Sequence, residues 1–335
     1  MDVELVRFGL LSTAAINGEI IAATRGSDVA AVVAVASRNA ARAAAYGRRH
    51  GIPRRYGNYG ALLEDPEIDA VYISLPNALH VEWSIRALEA GKHVLCEKPF
   101  SRRPEDVERA FDVAEREGRV LAEAFMWRHH PQVARARELL DGGAIGDLRI
   151  IRAHFAFRVG DPDDIRLQAA LDGGGLMDVG CYCVSGCRTL AGAEPERAWA
   201  ELIPGGHGVD VAMAATLRFP GDVLAHLDCG LSYPGGSLLA AAGTEGSFAL
   251  ADHWHGDDAV VELRRADGSV ERIDAGPANS YAFELADFEA AVRGEGSPGS
   301  HPATHPQRRD DALGQARTIA ALYTSAERNA PCPIG

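Results

Sequence analysis

Basic residues are in the minority in this chain of 335 residues, where 34 Lys and Arg stand against 47 Asp and Glu for a formal charge of −13. That balance argues against general nucleic-acid binding and against attraction to an anionic membrane surface, so neither is expected as a partner. Any polyanionic ligand needs a local basic pocket. No apolar run approaches the roughly 18 residues of a membrane span. The opening MDVELVRFG has no basic n-region and no apolar signal core, and it runs directly into a strand, which predicts a cytoplasmic protein. Six cysteines are too few for a disulfide framework in a chain of this size. Cys181, Cys183 and Cys187 cluster, but no second pair with finger-like spacing accompanies them. They fit helix packing better than metal ligation, and no metal is expected.

The first part alternates short apolar runs with helical patterns. VRFGLL (6–11), VAAVVAVAS (29–37), AVYISLP (70–76), KHVLCEK (92–98) and RVLAEAF (119–125) read as strands, with helices between them. Their hydrophobicity is continuous rather than alternating, which implies burial on both faces and so a parallel sheet covered by helices. The repeat of strand and helix predicts βαβ units with right-handed crossovers. From residue 125 the pattern changes, giving an expected division into 1–124 and 125–335. After a helix at HHPQVARARELLDGG come longer runs at 148–157, 196–203, 210–219, 223–232 and 237–250, expected as antiparallel strands of one sheet. VVELRRADGSVERI (260–273) reads as a hairpin turning at Asp267-Gly268. Helices are expected over 280–294 and 311–329, with an exposed loop, GEGSPGSHPATHPQ (294–307), between them.

An N-terminal βαβ unit on a parallel sheet is the usual seat of a dinucleotide, whose pyrophosphate rests on the first helix N-terminus. The glycines of the usual G-x-G-x-x-G loop are missing. In their place stands Ser12-Thr13-Ala14-Ala15-Ile16-Asn17. Small side chains at Ser12, Thr13 and Ala14 still permit close approach, and the two hydroxyls can donate to phosphate oxygens. An ordinary helix cap at Ser12 or Thr13 explains the loop equally well. The end of the second strand separates the two. Where an NAD enzyme places a carboxylate for the ribose 2′-OH, this chain has Ser37-Arg38, with Arg42 one turn on. A hydroxyl and a guanidinium suit a 2′-phosphate, so NADP(H) is the expected cofactor. Leu75, Pro76, Asn77 and His80 in SLPNALH (74–80) are expected to border the same crevice. Glu97 and Lys98 in HVLCEKP (93–99) are expected near its nicotinamide end.

The stretch GGGLMDVGCYCVSGC (173–187) places Asp178 and Tyr182 at i,i+4, on one face of a helix. A helix cap and a packed tyrosine account for that stretch equally well on its own. Together, Glu97-Lys98-Pro99 and GGGLMDVGCY resemble the glucose–fructose oxidoreductase/inositol dehydrogenase (Gfo/Idh/MocA) family. The resemblance extends through YGNYGALLEDPEIDAVYISLPNALH, EAFMWRHHPQ, GAIGDL and DFEAAV, essentially the whole chain. It is nearest the branch of dihydrodiol dehydrogenases, D-xylose dehydrogenases and nucleotide-sugar 3-ketoreductases, which tend to carry a Ser-Thr-Ala-like loop, a Ser-Arg pair and tyrosine at the position of Tyr182.

The resemblance implies an α/β fold: an N-terminal Rossmann domain with a doubly wound parallel sheet, and a C-terminal α/β domain with an open, mainly antiparallel sheet. That open sheet is expected to mediate a homodimer or homotetramer. It also implies Lys98 and Tyr182 as the catalytic pair, with Asp178 beside them. Hydride passes between nicotinamide and a sugar carbonyl or alcohol, Tyr182 donates the proton, and Lys98 stabilises the developing charge and lowers the tyrosine pKa. Lys98 as the proton donor is the alternative assignment. Arg128, His129, Arg166 and Tyr281 are expected as sugar-facing groups. The expected substrate is an aldose, a keto sugar or a nucleotide-linked sugar. A trans-dihydrodiol dehydrogenase, a non-redox glycoside elimination through transient oxidation and an NADP-sensing regulator are the competing readings. Ser37-Arg38 argues against the elimination, and the Lys98–Tyr182 pair argues against the regulator.

Overall fold

The computed structural model describes residues 5–251, 254, 259–295 and 309–335. In the first half, β1 (Val6–Leu11), β2 (Ala30–Ala36), β3 (Arg54–Tyr56), β4 (Ala70–Ile73), β5 (His93–Glu97) and β6 (Leu121–Ala124) form a parallel sheet in the order β3-β2-β1-β4-β5-β6. Helices α1 (Asn17–Thr24), α2 (Ala40–His50), α3 (Tyr59–Leu63), α4 (His80–Glu89) and α5 (Pro104–Glu117) connect the strands. Every residue of β4 is buried, as its unbroken apolar run requires. Strand β3 escaped the sequence reading because Arg54-Arg55-Tyr56 is polar and largely exposed. It is an edge strand, recruited only by pairing with Ala34–Ala36 of β2. The chain leaves β1 in opposite directions toward β2 and β4, so a crevice opens above the carboxyl ends of β1 and β4.

After α6 (Pro131–Asp141), a second sheet is built from β7 (Leu148–Ala156), β8 (Arg197–Pro204), β9 (Asp210–Phe219), β10 (Val223–Gly230), β11 (Gly236–Gly243), β12 (Gly246–Leu250), β13 (Val260–Arg265), β14 (Val270–Asp274) and β15 (Cys332–Pro333). Its order is β14-β13-β12-β11-β7-β10-β9-β8-β15. The pairing is antiparallel except between β7 and β10, which run parallel with Ile151 opposite Ala225. The run at 237–250, expected as one strand, turns back at Thr244-Glu245 into β11 and β12, with Ala241 opposite Phe248. The hairpin about Asp267-Gly268 forms as expected, with Gly268 at φ 85°.

Helix α7 (Cys181–Ala191) packs on one face of this sheet, where Trp127, Met213, Phe219 and Phe248 lie in the core. The other face leaves Trp199, Ile203, Leu224 and Leu238 exposed. Helix α8 (Ser280–Val292) returns to the first sheet, and α9 (Arg309–Arg328) packs between α5 and β8 of the second sheet. Phe288 of α8 packs on Phe8 at 5.6 Å between ring centroids and shares a core with Leu10 and Tyr72. Full burial of such a ring is worth about 1.5–3 kcal/mol. Of the loop expected over 294–307, all but Gly294 and Glu295 lies outside the described residues. No helix among the described residues is long and apolar enough to cross a membrane.

Candidate active site

A cavity of about 1100 Å³ opens where the crevice of the first sheet meets the second. One wall is Ala14–Ile16, Ser74–Asn77, His80 and Glu97, at the carboxyl ends of β1, β4 and β5. Ser12 adopts φ 153°, backbone that glycine takes readily, and a local network holds it there. Ser74 Oγ donates to Asn17 Oδ1 (2.6 Å), so the 2.7 Å contact between the two serines is a donation from Ser12 Oγ. Asn17 Nδ2 closes the loop on Ser12 O at 3.0 Å, and the Ala14 amide donates to Ser12 Oγ. The Ser12 proton is therefore spent inside the protein. Contrary to expectation, that hydroxyl shapes the loop and is not a phosphate donor. Neither Ser12 nor Thr13 lines the cavity.

Ser37 is buried at the end of β2, and its Oγ accepts from the Asn39 amide. Arg38 beside it is exposed and, among the described residues, unpaired. A glycine-shaped loop without glycine, a crevice at the strand reversal and a free guanidinium past β2 together fit a dinucleotide carrying a 2′-phosphate. His80 is fully buried, with Nε2 2.8 Å from Leu75 O and Nδ1 3.0 Å from Pro99 O. Burial lowers its pKa against the pull of these two carbonyls, each of which favours an N–H on the nitrogen that faces it. Asn77 donates across the crevice to Asp172 O at 2.9 Å.

The opposite wall carries Asp178 and Tyr182. Three glycines precede them for steric reasons. A Cβ at Gly173 would strike the Arg166 carbonyl, and one at Gly174 (φ 128°) would strike Asp210. Asp210 in turn accepts from the Leu176 amide (2.6 Å) and the Tyr323 hydroxyl (2.8 Å), fixing the start of the helix. A π-helical turn, Leu176–Gly180, leads into α7 and still presents Asp178, Val179 and Tyr182 to the cavity.

Lys98 Nζ donates to Asp178 O at 2.9 Å and lies 3.5 Å from Asp178 Oδ1. Arg166 Nε donates to Asp178 Oδ2 at 3.0 Å, so one carboxylate is held between two cations. Burial disfavours the Lys98 ammonium, but Asp178, then Cys181 and Glu97, outweigh it and raise its pKa. Glu97 accepts from Tyr72, and burial raises its own pKa against the pull of Lys98.

The ammonium sits over the ring face of Tyr182, 4.7 Å from its centroid, and its hydrogen bond goes to Asp178 O. Burial drives the Tyr182 pKa well above its ordinary value, and Glu97, Cys181 and Asp178 add to that rise. The expected lowering by Lys98 is not found, because burial of the phenol among aromatic rings outweighs it. Among the described residues its hydroxyl has one partner, Met126 Sδ at 3.8 Å.

Arg166 and Tyr281 line the cavity, whereas Arg128 and His129 do not. Arg128 is buried and donates to Asp311 at 2.6 Å, and His129 Nδ1 lies 2.6 Å from Asp287. Both pin the turn after β6 to the returning helices. Sequence reasoning missed Phe155 and Phe157, although period 2 along β7 places them on the same face as the buried Ile151 and Ala153. It also missed Trp254, for which no local pattern exists. Cys181, Cys183 and Cys187 are buried free thiols. Among the described residues no group of three or more His, Cys, Asp or Glu is arranged to hold a metal.

The model of the oxidoreductase family with an NAD-binding Rossmann fold, Gfo/Idh/MocA, matches residues 7–125, and that of the Gfo/Idh/MocA C-terminal domain matches 133–249. An NADP(+)-dependent D-xylose 1-dehydrogenase of Haloferax volcanii is 38% identical over 328 residues, 96% of this chain and 98% of that one. A dTDP-3,4-didehydro-2,6-dideoxy-alpha-D-glucose 3-reductase of Streptomyces violaceoruber is 41% identical over 269 residues, 78% of each chain. The crystal structure of a 3-ketoreductase from Actinomadura kijaniata, in complex with NADP and TDP-benzene, superposes with a TM-score of 0.87 at 33% identity, covering 96% of this chain and 98% of that one. With both halves matched, and with parallel and antiparallel sheets arranged around one shared cavity, the chain belongs to the Gfo/Idh/MocA family of oxidoreductases.

Proposed function

We propose that the protein is an NADP(H)-dependent oxidoreductase acting on a carbonyl or secondary alcohol of a sugar or sugar-like ring. The observation that carries this reading is the convergence of Lys98, Asp178 and Tyr182 on the cavity at the carboxyl ends of the Rossmann strands. NADP(H), when bound, supplies or accepts the hydride. The loop at 12–17, Leu75–Asn77, Glu97 and Lys98 would hold it, with Ser37 and Arg38 on the 2′-phosphate.

In reduction, negative charge develops on the substrate oxygen. Lys98 meets it with a fixed positive charge that Asp178 keeps protonated. Tyr182 remains a neutral phenol, and a hydroxyl committed only to a thioether, a weak acceptor, turns readily to a better one. It is the proposed proton donor. Asp178 orients Lys98 and is positioned to accept from a substrate hydroxyl, while Arg166 and Tyr281 border the ring. Both proton-bearing groups have raised pKa values, so both hold their protons in the free protein.

The unit at 1–124 is assigned to cofactor binding, and 125–335 to substrate binding and assembly, with α8 covering the first sheet. Trp199, Ile203, Leu224 and Leu238 on the open sheet face support a homodimer or homotetramer of a cytoplasmic enzyme. The test is a panel of aldoses, diols and keto sugars followed at 340 nm with NADP(H) and NAD(H) in parallel. Turnover preferring NADP(H) is expected. Equal rates with NAD(H) refute the assignment of Ser37 and Arg38.

A further inference from the structure

Resting on that oxidoreductase reading, we infer that the substrate is an uncharged single ring bearing vicinal hydroxyls, and that phosphorylated and nucleotide-linked sugars are excluded. The first ground is charge. Among the described residues, Lys98 and Arg166 are the Lys and Arg side chains lining the cavity, and both are committed to Asp178. Arg166 is doubly engaged, since its Nη1 also reaches Asp164 at 3.1 Å. A diphosphate that drew Arg166 away would face two carboxylates it had just uncovered. Glu19 and Glu97 line the same cavity, so carboxylates outnumber cations there.

The arginines next to the Leu171–Gly173 wall give no relief. Arg102 and Arg103 are spent on Asp172, at 3.0 and 3.5 Å. Arg158 is exposed and outside the cavity. Among the described residues a phosphate here would find no free cation, and a buried charge left unpaired is strongly disfavoured.

The second ground is shape. Phe155 stacks on Trp254 at 5.8 Å between centroids and 22° between planes, and Tyr182 packs against both, at 5.6 and 5.3 Å. Val179 and Ile165 extend this apolar wall. A saturated six-membered ring with equatorial hydroxyls has a C–H face and a polar rim. The wall desolvates the face, and Asp178, Arg166 and Lys98 take the rim. The same cavity must also admit the nicotinamide end of the cofactor, beside which the ring would lie against this wall.

Matched pairs decide it. With NADP(H) saturating, kcat/KM is measured for D-glucose, D-xylose and trans-1,2-cyclohexanediol, and for D-glucose 6-phosphate and dTDP-D-glucose. The neutral rings are expected to be turned over and the two phosphate-bearing compounds to fall at least 100-fold below free glucose. In parallel, the thermal shift of the NADPH complex is read with trans-1,2-cyclohexanediol and with dTDP. A shift with the diol and none with dTDP supports the inference. A kcat/KM for either phosphate-bearing compound equal to that of glucose, or a shift with dTDP, overturns it and leaves the oxidoreductase reading standing. No turnover of any compound with either cofactor overturns both.

Discussion

Replacing Tyr182 with phenylalanine removes one oxygen and little else. The ring keeps its edge contacts with Phe125 (5.7 Å) and Phe155 (5.6 Å), and Lys98 keeps the ring face beneath its ammonium. The deleted hydroxyl loses only a weak bond to Met126 Sδ, so stability is expected to change by less than about 0.5 kcal/mol in either direction. Catalysis is affected differently. If that hydroxyl delivers the proton, its loss costs the ~10²–10⁴-fold typical of a positioned acid, or about 2.7–5.5 kcal/mol of barrier. Three measurements separate these effects: Tm, the Kd for NADPH by fluorescence, and single-turnover reduction at 340 nm. The expected result is Tm and Kd near wild type with turnover reduced at least a hundredfold. A Tyr182→Phe enzyme within tenfold of wild type refutes the assignment, because ~1.4 kcal/mol is too little for a proton donor. The proton would then pass to Lys98.

Lys98→Ala removes the cation itself and leaves Asp178 paired with Arg166. The chain is expected to fold, bind NADPH with modest loss, and turn over at least a hundredfold more slowly, as rapid kinetics and a binding titration will show. Arg38→Ala removes a guanidinium proposed to face a phosphate. A loss of about 1.5–3 kcal/mol, roughly 10–150-fold in KM, is expected for NADP(H) and none for NAD(H), and equal effects on the two cofactors contradict the placement. Glu123 is buried, and burial lifts its carboxyl from 4.5 to about 7, while the Phe100 amide donates to it at 2.7 Å. Its folded pKa is raised, so its contribution to stability is fully present below about 4.5 and is lost as pH rises through about 7, a change on the order of 3 kcal/mol. Glu123→Gln is therefore expected to flatten the fall in Tm between pH 5 and pH 8, and an unchanged slope counts against it.

The parallel sheet was legible because burial on both faces demands unbroken apolar runs, and β1 (Val6–Leu11) matches the sequence reading residue for residue, as does the alternating β9 (Asp210–Phe219) of the second sheet. Where a strand owes its existence to a neighbour, that signal vanishes. Arg54–Tyr56 is polar and pairs only because β2 presents an open edge. In the same way, 237–250 carries apolar runs at both ends, and its Gly243–Gly246 segment, held by the Thr244 and Glu245 amides bonding back to Asp147 and Ile145, makes it two strands. The loop at 12–17 shows the reverse case. Its glycines are absent, yet a serine network imposes the same backbone shape, so the motif persists in conformation after it has gone from the sequence.

The site divides along the same physical line. Lys98, Asp178 and Tyr182 could be located from local rules, since a strand end and an i,i+4 face each fix a direction in space. What a polar side chain does there depends on who meets it, and that partner is set by the whole fold. Arg128 and His129 look like ligand-facing cations in EAFMWRHHPQ. They are instead consumed by Asp311 and Asp287, 183 and 158 residues away. Lys98 illustrates the point at closer range. Its neighbourhood was predicted, but its approach to the face of the Tyr182 ring was not. A cation beside the phenolic oxygen would favour phenolate. One over the ring, with Asp178 and Glu97 nearby, leaves the phenol protonated, as the proposed donor role requires.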